Sequence, residues 1–112
     1  MSKRSDKLLV EDILEASEKI TRYLKGYTEK KFLHDEIVED AVVRNFSIIG
    51  EAASKISSSF KKKYPDIPWK KLVGFRNRIV HDYIGVDYSV IWNIYKNNLS
   101  DLIKQFQEIL SE

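Results

Sequence analysis

The chain has 112 residues, 43% of them hydrophobic and 12% aromatic, enough for one compact core over residues 1–112 and too few for two ordinary domains. Its 19 Lys and Arg against 17 Asp and Glu leave a formal net charge of +2, far below that of a protein that coats nucleic acid, so charge neither demands nor excludes an RNA partner. The absence of cysteine excludes disulfides and thiolate metal sites, and with a charged N-terminus and no 18-residue apolar run the expectation is a soluble cytoplasmic protein with no membrane partner.

Helical spacing dominates from the start. Ser5 or Asp6 is placed to cap a first helix through "KLLVEDILEASEKITRYLKG", where Leu9, Ile13, Ala16, Ile20 and Leu24 recur at the helical period and Gly26 is a natural stop. The next segment, "TEKKFLHD", reads as a turn or short helix, with His34 expected to face solvent. A second long helix is predicted over about residues 36–57, with Ile37, Ala41, Ile48, Ala52 and Ile56 lining its inner side.

The stretch "SSSFKKKYPDIPWKK" breaks the pattern, because Pro65 disfavours helix at Tyr64, while Pro68 suits a first helical turn. A third helix is predicted over about residues 68–83, ended by Gly85. Asp87 is placed to cap a last long helix whose inner set is Val90, Ile94, Leu99, Leu102, Phe106 and Ile109. No segment alternates like a half-buried strand, so the fold class is all-α, an up-and-down bundle of four to five helices.

Within the third helix, "GFRNRIVHDYIG" concentrates polar groups. On a helical wheel Arg76 falls in the apolar arc with Leu72, Val73, Val80 and Tyr83. Arg78 and Asp82 form an i,i+4 pair on the opposite, solvated side, and Asn77 and His81 form a second such pair on the border between the two arcs. A guanidinium in an apolar arc needs a partner or a cavity, since a buried unpaired charge costs several kcal/mol or more.

The second helix supplies candidate companions: Arg44 and Glu51, seven apart, share a face, and Asn45 falls among Ala41, Ile48 and Ala52. These groups either form a polar network that fixes how two helices pack or support a functional site, and the wheel leaves both open. Lys61, Lys62, Lys63, Lys70 and Lys71 flank the proline-bearing turn with Tyr64 and Trp69 interleaved. They make either a phosphate-tracking patch with a stacking surface or a solvated loop anchored by a buried Trp69.

One histidine in a polar cluster and scattered acids do not make a metal site, and the chain has neither a phosphate-cradling glycine loop nor a glycine-flanked serine. What remains is acid–base chemistry on a phosphodiester. Histidine moves a proton near neutral pH, and arginine presents a fixed fork to phosphate oxygens and the charge that builds on them. Cleaving RNA through its own 2′-hydroxyl needs a base, an acid and nearby cations; a two-fold dimer would supply two histidines and two arginines to a composite site.

The residues "RNRIVHDY", 76–83, match the R-x-x-x-x-H-x-Y motif of the HEPN superfamily, and the chain resembles the HepT toxins of MNT–HepT toxin–antitoxin systems. The segments "LLVEDILEASEKITRYLKG", "DAVVRNFSIIGEAASKIS", "YPDIPWKKLVGFRNRIVHDYIGVD" and "VIWNIYKNNLSDL" are similar to that family's segments in the same order. The resemblance implies an all-α HEPN fold and a homodimer whose motif helices face across a cleft. It further implies metal-independent endoribonuclease activity on cellular RNA, tRNA or mRNA, with no cofactor. By motif position, Arg76 would grip phosphate, His81 would handle the proton and Asn77 would support the site. Tyr83 would be the residue to which an MNT-type nucleotidyltransferase antitoxin adds AMP. Asp82 stands where many relatives carry glycine, a departure from the family pattern. A second reading is a non-catalytic HEPN subunit that binds a nucleotidyltransferase or its substrate.

Overall fold

Polar side chains cap five of the helices, and the computed structural model describes residues 4–81 and 87–112, the side chains of 76–81 excepted. α1 (Asp6–Leu24) starts where Ser5 Oγ accepts the Leu8 N–H at 3.2 Å. Leu9, Ile13, Ala16, Ile20 and Leu24 are all buried, as their spacing predicts. The chain turns at Gly26, whose φ of +80° is open to glycine without a Cβ clash. α2 (Glu29–Leu33), capped by the Thr28 side chain, is the short helix expected there and buries Phe32. His34 behind it is exposed, its Nδ1 2.8 Å from the Lys30 carbonyl oxygen.

α3 (Glu36–Lys55) buries only part of the expected row: Ala52 and, at the C-cap, Ile56 are buried as expected, and Ile37, Ala41 and Ile48 are not. Its buried set is Val42, Asn45, Phe46, Ile49, Ala52 and Ala53, whereas Ile37 is 82% exposed and Ile48 36% exposed. The buried arc is turned about a third of a revolution from the row Ile37, Ala41, Ile48. α3 carries more than one apolar row, and its packing against α1 and α5 selects the row through Phe46 and Ile49. A short α4 (Ser58–Lys63), capped by Ser57, forms inside the stretch read as a break, and it stops at Tyr64 ahead of Pro65. α5 (Trp69–His81) follows Pro68 as predicted; its expected end, at Tyr83 and Gly85, lies outside the described residues.

The last helical stretch comprises α6 (Tyr88–Ile94), a π-helical segment (Tyr95–Leu99) and α7 (Ser100–Ser111). Asp87 caps it by accepting the Ser89 and Val90 N–H groups. Val90, expected inside, is 40% exposed, and Ile91 and Trp92 take the core positions. The reason is a neighbour far away in sequence: the Trp92 ring packs on Phe32 of α2 with centroids 5.6 Å apart. Leu99, Leu102 and Phe106 are buried as expected, while Ile94 and Ile109 are half-buried. All regular structure among the described residues is helical, and no described helix is long and apolar enough to cross a membrane.

α1 and α3 run antiparallel, tied at both ends. At one end the Asp6 carboxylate accepts the Ser57 N–H at 2.9 Å and the Ser57 hydroxyl at 2.7 Å. At the other, the Tyr27 hydroxyl donates to Asp35 Oδ2 at 2.8 Å, while Asp35 Oδ1 caps α3 by accepting the Val38 N–H. α5 then runs back along α3, with Phe75 edge-on to Phe46 at 5.6 Å, and Trp69 at its start meets Phe106 of α7 at 5.7 Å.

Two of these ties are open to direct measurement. Asp6→Ala removes a charged acceptor of two hydrogen bonds and is expected to lower the unfolding free energy by about 1.5–3 kcal/mol, read from a denaturant midpoint. The hydrogen bond from Tyr27, with the Val38 N–H adding to it, holds the Asp35 carboxyl below the ordinary carboxylate range. A depressed carboxyl contributes stability that is present above its unfolded pKa, about 3.9, and is lost as pH falls through the lower folded value. Tyr27→Phe should therefore melt below wild type at pH 7, and the two melting curves should converge on acidification below about pH 4.

Candidate active site

α5 carries the first six positions of the motif on its backbone. Its first turn is set where the Leu72 N–H reaches the Pro68 carbonyl at 3.1 Å, and Leu72, 2% exposed, pins the helix to the core. The helical backbone continues unbroken to His81, so Arg76, Asn77 and His81 stand on one element, with Arg76 and His81 about 7.5 Å apart along its axis. The side chains of Arg76, Asn77, Arg78 and His81 lie outside the described residues, as do Asp82 and Tyr83 altogether.

The companions expected on α3 are separated by the structure. Asn45 is 5% exposed on the inner face, beside Phe46, and its Nδ2 donates to the Ala41 carbonyl at 2.9 Å. It sits with Val42, Phe46 and Ile49 rather than with Ile48, the consequence of the rotated α3 face. Its Oδ1 accepts no hydrogen bond among the described residues, leaving a buried acceptor on the helix against which α5 packs. Arg44 and Glu51 do share a face: with Arg4 and Asp12 they line one open groove of about 430 Å³ between α1 and α3. In that groove Arg4 grips Asp12 in a two-point pair at 2.7 and 2.9 Å, and Glu51 lies 3.5 Å from Lys55 Nζ.

Lysines cluster where α4 gives way to α5. Lys62, Lys63, Lys70 and Lys71 are exposed and Lys61 half-buried where α4 and α5 meet. Trp69 is not a stacking surface for them: it is 8% exposed, its Nε1–H donates to the Tyr64 carbonyl at 3.0 Å, and its ring lies against Phe60 and Phe106. Of the two readings of that segment, the buried anchor holds for Trp69. At the opposite end, Asp35, Glu36, Glu39 and Asp40 open α3. Burial pushes the Glu39 carboxyl above the ordinary range, with Asp40, Glu36 and Asp35 adding to it. The Tyr88 phenol is raised by burial first and then by Glu39, Asp40 and Glu36. The acids that open α3 share that end of the bundle with Arg22, Lys25, Lys30 and Lys31, whereas the lysines of α4 and α5 lie beside the start of the motif helix.

A feature that sequence reasoning missed lies on the flank of α5. Between α5 and the last helical stretch is a cleft of about 520 Å³ with Phe46, Leu72, Phe75 and Leu99 among its walls. Asn98, Asp101 and Gln105 line its polar side together with Lys71. In sequence these polar residues read as the solvated face of a helix; the signal was their i, i+3, i+7 spacing beside the row Leu99, Leu102, Phe106. Gly74 also lines the cleft, and a Cβ built there meets nothing within 4 Å. A glycine in a helix interior costs about 1 kcal/mol relative to alanine, and packing does not require this one.

Comparison with known proteins matches this arrangement to a family. The family described as ribonuclease HepT-like matches over residues 13–109. A Methanocaldococcus jannaschii protein provisionally named an RNase is 36% identical over 107 residues, covering 96% of this chain and 98% of its own. A second from that organism, similarly named, is 37% identical over 112 residues, 100% of this chain and 93% of its own. A Thermococcus cleftensis protein provisionally named ribonuclease HepT is 37% identical over 107 residues, covering 96% and 97%. No solved structure matches the chain. An all-helical bundle carrying R-x-x-x-x-H-x-Y at positions 76–83, matched by this family along nearly its whole length, belongs to the HepT-like ribonucleases of the HEPN superfamily.

Proposed function

We propose that this chain is a metal-independent endoribonuclease that acts as the toxin of a toxin–antitoxin pair and cuts cellular RNA at a site completed by a second copy. The observation that carries the proposal is the motif itself: Arg76, Asn77 and His81 stand on one continuous helix in a chain that belongs to a ribonuclease family. The exposed lysines where α4 and α5 meet support it, because they offer phosphate contacts to an RNA backbone near the start of that helix.

In the proposed reaction His81 of one copy takes the proton from a ribose 2′-hydroxyl, and the 2′-oxygen attacks the adjacent phosphorus. The bond to the 5′-oxygen breaks, and His81 of the second copy returns a proton to that leaving oxygen. The products are a 2′,3′-cyclic phosphate and a 5′-hydroxyl. Arg76 neutralises charge that builds on the non-bridging oxygens, where a fixed guanidinium fork acts most strongly. Asn77 and the buried amide of Asn45 support the site by holding polar groups in place at the α3–α5 contact, whereas Arg44 and Glu51, which line the groove between α1 and α3, take no part in it. Lys61, Lys62, Lys63, Lys70 and Lys71 track the backbone beyond the cut.

Regulation follows from Tyr83. A nucleotidyltransferase antitoxin would direct the Tyr83 hydroxyl onto the α-phosphorus of ATP, forming a phosphodiester to AMP and releasing pyrophosphate. The adduct is bulky and anionic, so it obstructs the cleft and repels the RNA backbone.

Purified protein is expected to cleave RNA at an unchanged rate in the presence of a chelator. His81→Ala should lower the rate by about 10²–10⁴ and Arg76→Ala by about 10²–10³. Loss of cleavage on chelation would overturn metal independence. Intact RNA under all conditions, with growth unaffected on induction, would favour the non-catalytic partner subunit. Co-expression with the nucleotidyltransferase should add the mass of AMP to wild type and none to Tyr83→Phe; a retained adduct would remove Tyr83 from the account.

A further inference from the structure

Beside the motif helix, the cleft between α5 and the last helical stretch has a composition of its own. Its walls are apolar and aromatic, with Phe75 edge-on to Phe46 at 5.6 Å and Leu72 and Leu99 alongside. Asn98, Asp101 and Gln105 form one row along its opposite side, and Lys71 stands on the α5 side. At about 520 Å³ it has the volume of a site for a small planar ligand, apolar on the faces and polar at a few points of the edge. Asn98 belongs to the π-helical segment Tyr95–Leu99, a departure from α-geometry of the kind that gathers at functional sites.

Gly74 carries the inference further. It lies in the interior of α5, where glycine weakens a helix, and neither its φ nor its surroundings call for it. Its missing side chain does keep the cleft open, immediately before the motif. His81 follows Gly74 by about 10 Å along the axis and within about 20° of its direction round the helix, a reach that the sugar–phosphate of a bound nucleotide spans, whereas Arg76, two residues on, stands about half a turn round.

We infer that this cleft is a nucleobase subsite, which takes a base next to the phosphate that is cut and so selects where the RNA is cleaved. The inference rests on the ribonuclease reading above. The base lies between the aromatic and aliphatic walls, where every base offers a π-face. Asp101 accepts only; uracil's single base-edge donor, N3–H, is flanked by two carbonyl oxygens that repel a carboxylate, so Asp101 favours the exocyclic amino groups of adenine, guanine and cytosine. Asn98 supplies both donor and acceptor to the rest of the base edge, Gln105 adds its Oε1 and its second N–H, the first donating to the Asp66 carbonyl at 3.4 Å, and Lys71 meets phosphate.

The test is binding without cleavage: titration of the ¹⁵N-labelled full chain with AMP, GMP, CMP and UMP, followed by NMR. Saturable shifts are expected at the Asn98 and Gln105 side-chain amides, with UMP the weakest ligand. Gly74→Leu fills the cleft and should weaken binding by about tenfold or more. Its unfolding midpoint checks that the bundle is intact. Asp101→Asn should erase the discrimination against UMP. Shifts confined to Lys61, Lys62 and Lys63, or undiminished affinity in Gly74→Leu, would overturn the subsite. So would a Gly74→Leu variant that dissociates to monomers in sedimentation while binding nucleotides as before, since the cleft would then be a contact between copies. RNA cleavage without nucleotide binding would overturn the subsite alone. Nucleotide binding at the cleft without cleavage would uphold the base site and remove the ribonuclease reading.

Discussion

The rest of the molecule depends on the burial of α3 against two helices at once. α1 and α5 both pack along it, and the arc through Val42, Phe46, Ile49 and Ala53 is what they cover. Fully burying a side chain such as Phe46 or Ile49 contributes roughly 1.5–3 kcal/mol, so this shared seam outweighs any single polar contact in the bundle. The polar ties act where apolar packing runs out. Asp6 to Ser57 and Tyr27 to Asp35 sit at the two ends of the α1–α3 pair and set its register without entering the core.

That seam also positions the motif helix. Because Phe75 abuts Phe46 and Leu72 is buried, α5 has little freedom to turn or slide against α3, and Arg76 and His81 follow Phe75 on a continuous helical backbone. Groups on a helix held this way are placed more accurately than groups on a loop. The π-helical segment at Tyr95–Leu99 and the glycine at 74 depart from the most stable local choice. Both border the same cleft, so the local concessions in this small bundle gather beside the motif rather than scattering through it.

Electrostatics is local rather than global. The four acids that open α3 are favourable to its helix dipole, and they share that end of the bundle with Arg22, Lys25, Lys30 and Lys31. The lysines of α4 and α5 stand at the other end. With a net charge of only +2, such a cluster matters more than the sum for how a chain of phosphates would approach.

Much was determined by the sequence alone. The all-α class, the caps at Ser5 and Asp87, the stop at Gly26, the inner row of α1 and the start of α5 after Pro68 follow from local chemistry, because caps, proline and the helical period act within one or two turns. The motif at 76–83 was likewise legible, being a pattern of residue types on one helix. Tertiary structure alone decided which row of α3 is buried, since Ile37 and Ile48 are as apolar as Ile49 and only the position of α1 and α5 separates them. It also decided that Trp92 rather than Val90 enters the core, through Phe32 more than fifty residues earlier, and that Trp69 is an anchor rather than a stacking surface. The cleft beside α5 could not be read at all from one helix, because its two walls come from elements that meet only when the bundle closes.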